Sequence, residues 1–443
     1  MSSSSTSLAS LTARAYPAVA KERVVYGGMG ILLLLVIYVP LQEKIDLRLT
    51  QLTHITLPEG LVFMNVLFVA AILKWFVLGP QSEGEDFWSR LLTVAVLAVG
   101  SFFVLSFITA EFYTGGTSFL DDLIGWKRTA SALLIYFFTK KLLHSRRQII
   151  VLFSVMALIV GFAGYNLLRE NFSNGLSSSH FKDGLRFGGI FGWGGENDLG
   201  AFLAEFVFIP LLLFKLQKGL LKKSFFLGLA ALAITGCVFT YSRGAWIGLG
   251  AGLVVYIWRH SRLSLVAVLL AVLFLATSIL PASVIDRWNM TEDKQTGQLE
   301  SSAQNRVDVW QQGLELVTRY PLFGVGYDRF KSVVEMHIEP HNAYLKIAAE
   351  QGIPALLVFL SLLGIALCNA RGAADPFERE ISIAYSACWV AFVFVNFFGN
   401  RTFREGLICY FWVFTGLIVW LRVERNQRPS ERCDGLAFGK RSN

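Results

Sequence analysis

Long apolar runs recur along this chain, each close to the length that a bilayer demands of a spanning helix. About 20 mostly apolar residues cross the hydrocarbon core. Twelve such runs stand at 24–41, 61–78, 91–110, 123–138, 149–168, 199–214, 225–240, 245–258, 263–280, 342–368, 381–398 and 406–421. Backbone in lipid must satisfy its own hydrogen bonds, so these runs are expected to be helices. The expected fold is an all-α polytopic integral membrane protein of about 12 transmembrane helices. Composition agrees: 54% of residues are hydrophobic and 16% charged, against about 25% charged in soluble domains.

The formal charge of +8 sits in the loops and at the ends, which argues against nucleic acid as a partner. Lys140, Lys141, Arg146 and Arg147 share one loop, and Lys215, Lys218, Lys222 and Lys223 another. Arg259, Arg262, Arg371, Arg379 and the tail from Arg422 fall on the same side, as do Arg14, Lys21 and Arg23. The positive-inside rule puts that side, with both termini, in the cytoplasm. Residues 1–23 are expected to be a disordered cytoplasmic N-terminus, 24–421 the transmembrane domain and 422–443 a cytoplasmic tail. Two outer loops follow, at about 169–198 and 281–341. The larger contains an amphipathic segment, 305–319, in which Val307, Trp310, Leu314 and Val317 recur at helical spacing.

Chemistry-bearing residues concentrate on the outer side. Pro340-His341-Asn342 precedes an apolar run, the pattern of a helix start, so an imidazole and an amide are expected at the membrane mouth. Arg186, Arg243, Arg401 and Arg404 lie in outer loops or short turns, where orientation rules do not ask for cations. One such arginine alone would snorkel to lipid phosphates. Several on one face suit a phosphorylated ligand, because a guanidinium binds phosphate through paired donors. His341 is the candidate base and Glu339 a weaker second; Asn342 and His337 are candidate binding residues. Glu196, Asn197 and Asp198 open a helix and read as capping residues. Pro340 interrupts the register between His337 and His341, and none of the five cysteines forms a CxxC, so neither a metal nor a cofactor is expected.

These motifs together resemble the O-antigen ligase and polymerase family of bacterial envelope glycosyltransferases, over residues of about 186–367. Three segments carry the likeness: Arg186-Phe187-Gly188-Gly189 with Glu196-Asn197-Asp198-Leu199; Tyr241-Ser242-Arg243-Gly244-Ala245-Trp246; and Tyr320-Pro321-Leu322-Phe323-Gly324-Val325-Gly326 followed by His341-Asn342 and, after nine intervening residues, Gly352. The chain departs from the family pattern at Ala355, where a second glycine is expected. The resemblance implies a donor glycan on undecaprenyl pyrophosphate, an acceptor hydroxyl on lipid A–core or another glycan, surrounding membrane lipids, and a periplasmic site in the bacterial inner membrane. It places Arg186 and Arg243 on the pyrophosphate and His341 at the acceptor. Ligase, polymerase and protein O-oligosaccharyltransferase activities share this chemistry. A transporter would instead need ionisable groups deep in the spans. Lys74, Glu205 and Lys346 are the candidates for that, and each is expected to reach the interface by snorkelling.

Overall fold

The computed structural model of the chain describes residues 8–53, 63–78, 84–113, 118–174, 186–192, 195–267, 270, 282–289 and 301–427. Every regular element among the described residues is helical. In chain order these are α1 (Leu8–Thr53), α2 (Phe63–Val77), α3 (Phe87–Tyr113), α4 (Phe119–Leu142), α5 (Arg146–Ser173), α6 (Glu196–Phe206), α7 (Phe208–Leu216), α8 (Leu220–Phe239) and α9 (Arg243–His260). They continue with α10 (Ala282–Asn289), α11 (Ser301–Arg319), α12 (Phe330–Val333), α13 (Ala343–Gln351), α14 (Ile353–Asn369), α15 (Pro376–Phe397) and α16 (Glu405–Gln427). Short 3₁₀ turns cover Gly189–Phe191 and Arg401–Phe403.

Among the described residues, seven stretches are long and apolar enough to cross a membrane: Gly27–Leu52, Phe87–Phe112, Arg146–Ser173, Glu196–Leu216, Leu220–Phe239, Pro376–Phe397 and Glu405–Gln427. Phe63–Val77 and Ile353–Asn369 are shorter apolar helices. The expected run at 263–280 lies mostly outside the described residues. The amphipathic segment is present as α11.

Two expected runs are interrupted. The run at 199–214 divides at Val207, where α6 gives way to α7. Pro210 has no N–H for the carbonyl of Phe206, so the helical ladder loses a rung there. The run at 342–368 divides at Gly352, whose φ of +89° lies in the left-handed region. A Cβ at that position would sit 2.2 Å from the carbonyl oxygen of Leu322. Only glycine allows both this backbone conformation and this approach.

Buried residues run almost without a break from Leu407 to Val419 on α16, so its upper and middle turns are enclosed on all sides. Phe411 stacks on Phe392 with ring centroids 4.1 Å apart. Around α16 the helices pair as α4 on α16, α9 along α15, α5 along α8 and α3 against α14. Large apolar side chains such as Phe76, Leu97, Leu220 and Leu221 face outward, as lipid-covered residues do.

The two ends of the bundle differ. At one end Arg146 bridges Asp375 (2.5 Å), Glu378 (2.6 Å) and Glu424 (3.3 Å), and His260 meets Glu380 at 2.8 Å. Asp375 also caps α15, accepting from the Glu378 N–H at 2.9 Å just before Pro376. The basic loops meet here. At the other end the chain between α11 and α13 folds back on α13: Val325 and Gly326 donate to the carbonyls of Ala349 and Glu350 at 2.8 and 3.0 Å, and Tyr327 to Ser106 at 2.9 Å. That explains the Gly324-Val325-Gly326 segment as a structural clasp holding the loop that carries His341.

Candidate functional site

The site is assembled at this second end from several pieces of chain. Asn342 is the N-cap of α13, its side-chain oxygen accepting from the N–H groups of Tyr344 and Leu345, both at 3.1 Å. That amide oxygen is committed to the helix, so its position one residue after His341 fixes where the imidazole emerges. His341 itself has φ +47°, a conformation uncommon for a non-glycine residue and held here by its surroundings. The preceding carbonyl, of Pro340, accepts a 2.7 Å hydrogen bond from the Trp310 indole on α11. The loop is thus pinned from both sides.

Lysine and carboxylates complete the anchoring. Lys346, one turn into α13, contacts Glu339 at 2.8 Å, Asp328 at 3.1 Å and Glu350 at 3.5 Å. Asn400 donates a further bond to Glu339 at 2.9 Å. Lys346 is 5% exposed and Glu205 2%, so neither snorkels as the sequence suggested. Lys346 is held by its three carboxylates. Glu205 lies close enough to Arg401 for their charges to attract.

The arginines come from the other elements. Arg243 begins α9. Arg186 precedes a 3₁₀ turn and binds Glu196 at 2.6 Å and Asn197 at 3.4 Å. Arg401 and Arg404 flank the second 3₁₀ turn and share one carboxylate, Asp198, at 3.5 and 2.9 Å. Glu196, Asn197 and Asp198 therefore do not cap α6; Gly195 stands at the N-cap without a side-chain bond, and the three side chains reach sideways to arginines. Arg401 is buried whereas Arg404 is exposed. Gly399 makes the burial of Arg401 possible, because a Cβ there would lie 0.7 Å from a guanidinium nitrogen.

Two further arginines belong to this group and were not singled out in the sequence. Arg306 lies one helical turn before Trp310 on α11, which places both on the face that meets the His341 loop. Burial and the positive charges of Arg401, Arg243, Arg186 and Arg287 all lower the pKa of Arg306. Arg287 is carried by α10, which docks on the turn before α9: Trp288 stacks on Trp246, and Ser283 meets the Tyr241 hydroxyl at 3.1 Å. Arg186, Arg243, Arg287 and Arg401 thus lie within electrostatic range of Arg306.

His341 keeps an exposed face, but packed atoms crowd the rest of the ring. Burial, then Arg306, then Arg401 depress its pKa, and Glu339 and Asp198 oppose them only in part. The imidazole is neutral at neutral pH, with proton-accepting capacity beside a cationic surface. His337 is not drawn in: it is exposed, with Nδ1 on the Lys331 carbonyl at 3.1 Å. The arrangement can hold a multiply charged anion and take a proton next to it.

No curated protein matches the chain. A family match spans residues 228–360, which include Arg243, Arg287, Arg306, Glu339 and His341 but not Arg186, Asp198, Arg401 or Arg404. Ala355, the point of departure from the expected pattern, is buried beside Phe359 in a small apolar void. The matching region, residues 228–360, is similar to the family described as O-Antigen ligase.

Proposed function

We propose that this protein is a membrane glycosyltransferase of the O-antigen ligase type, moving a polysaccharide from undecaprenyl pyrophosphate to an acceptor hydroxyl of lipid A–core. One observation carries the reading: Arg186, Arg243, Arg287 and Arg401 act electrostatically on Arg306, and Arg306 and Arg401 act in turn on the imidazole of His341. A lipid pyrophosphate is the anion suited to such a cluster, since each charge-assisted hydrogen bond contributes about 1.5–3 kcal/mol.

In the proposed reaction the guanidiniums, Arg243 and Arg186 foremost, bind the pyrophosphate and stabilise the charge that grows on it as the bond to the anomeric carbon breaks. The acceptor oxygen forms the new bond to that carbon. His341 takes the acceptor proton, and the bonding electrons leave with the pyrophosphate. Arg404 and Glu339 form the polar rim; Asn342 and Lys346 hold the loop in place. Neither a metal nor a nucleotide enters the balance.

Topology follows as part of the proposal. The site faces the periplasm of a bacterial inner membrane, both termini are cytoplasmic, and the chain crosses twelve times within 24–421. Collection of the basic loops at the end away from His341 supports this orientation.

The test is transfer in membranes supplied with lipid-linked glycan, comparing the parental chain with His341→Ala and Arg243→Ala. Well-expressed variants that transfer at the parental rate would sink the assignment. The products of a strain lacking the protein separate ligation from polymerisation: accumulated lipid-linked polymer marks a ligase, and single-repeat products mark a polymerase.

A further inference from the structure

Lined by Arg404, which shares Asp198 with Arg401, lies a cavity of about 390 Å³. That is within the range of small-molecule sites, about 300–1,000 Å³. Its walls come from α1 (Glu43, Asp46), α4 (Arg128), the two 3₁₀ turns (Phe191, Phe403) and the start of α16 (Glu405). Gly406 lines it without a side chain.

The lining differs from that of the arginine cluster. Glu43, Asp46 and Glu405 outnumber Arg128 and Arg404, and Arg404 is already held by Asp198 at 2.9 Å. A second phosphate would meet more carboxyl groups than arginines here. A metal ion is equally unsuited, because among the described residues no three His, Cys, Asp or Glu side chains group as metal ligands would. Asp46 accepts from the Tyr38 hydroxyl at 2.7 Å and Glu405 from Ser131 at 3.5 Å. Each carboxylate retains lone pairs for further donors. Glu43 has no hydrogen-bond or ion-pair partner among the described residues, and it is exposed. Carboxylates beside aromatic rings match a ligand with hydroxyl donors at its edge and C–H groups on its faces.

We propose that this cavity is a glycan subsite, holding one sugar through its hydroxyl groups on Glu43 and Glu405 with Phe191 and Phe403 against its apolar face. The inference rests on the glycan-transfer reading of the His341 site, and it locates sugar recognition on the Arg404 side of that site. The sugar belongs either to the donor chain next to the pyrophosphate or to the acceptor.

Equilibrium binding to the full-length protein in detergent tests it with three probes. These are bare undecaprenyl pyrophosphate, the lipid-linked glycan extracted from the source cells, and those cells' acceptor glycolipid. Glu43→Gln and Glu43→Gln/Glu405→Gln keep side-chain shape and replace the carboxyl groups by amides. The variants should bind bare lipid pyrophosphate with parental affinity. They should bind one sugar-bearing probe about tenfold more weakly, as loss of a charged hydrogen bond predicts. Weakening of the lipid-linked glycan assigns the cavity to the donor sugar, and weakening of the acceptor glycolipid assigns it to the acceptor. Parental affinity for all three probes, or equal weakening for bare lipid, overturns the subsite. Failure of the transfer reading is seen separately, as absence of product from the parental protein.

Discussion

The indole of Trp310 donates to the carbonyl oxygen of Pro340 at 2.7 Å, so the amphipathic helix of the loop is tied to the residue before the candidate base. Trp310 also packs edge-on against Phe397, with centroids 5.5 Å apart. Trp310→Phe keeps an aromatic ring and deletes the donor. Stability should fall by about 1 kcal/mol, the size of one hydrogen bond. Transfer should fall more steeply, by about tenfold, because a displaced base loses alignment. Thermal unfolding and initial rates on one preparation check the two together.

Arg306 should set the pH response. A depressed imidazole pKa means that activity requiring neutral His341 rises as pH climbs through that value and is flat above it. Arg306→Gln removes the cation that acts most strongly on His341, so its pKa rises and the acid limb of kcat/KM moves to higher pH. Arg306→Lys preserves the charge and should leave the limb in place. Profiles from about pH 5 to about pH 8, the range in which histidine titrates, provide the measurement.

Gly399 should tolerate no side chain. In Gly399→Ala the new methyl would occupy the place of the Arg401 guanidinium, forcing it away from Asp198. Binding of lipid pyrophosphate should weaken by about tenfold or more, in proportion to a lost charge-assisted contact. Helical content by circular dichroism should stay at the parental level. Unchanged binding would show that Arg401 does not reach the ligand.

Lys346 should prove structural. Lys346→Met strands three carboxylates, including the fully buried Glu350, and should cost about 3–5 kcal/mol, as breaking a buried ion pair does. Lys346→Met/Glu350→Gln removes a charge from each side and should recover part of the loss. Thermal midpoints of the two variants in the same detergent settle the comparison.

The helical membrane architecture was legible because apolar length speaks directly to bilayer thickness. Arg186, Arg243, Arg401 and His341 stood out because their types were at odds with their expected positions. Arg306 did not, since the apolar stripe dominates segment 305–319, and neither did Arg287, which precedes that segment in the same loop. The available signal was the spacing of Arg306 from Trp310 on one helical face. The pairing of Asp198 with Arg401 and Arg404 joins distant parts of the chain, whereas local sequence offers only the capping role. Snorkelling was expected for Lys346 and Glu205 from their nearness to span ends; neighbouring charges in the folded bundle hold them inside.

Gly352 separates two demands that one continuous rod would have to meet at once. α14 takes its tilt from the bundle and from the thickness of the surrounding lipid, whereas α13 takes its direction from the clasped loop. A thicker or thinner bilayer changes the tilt of an apolar helix. With the helix broken at residue 352, such a change in α14 can be absorbed at the glycine, leaving the direction of α13 and of the His341 loop unchanged.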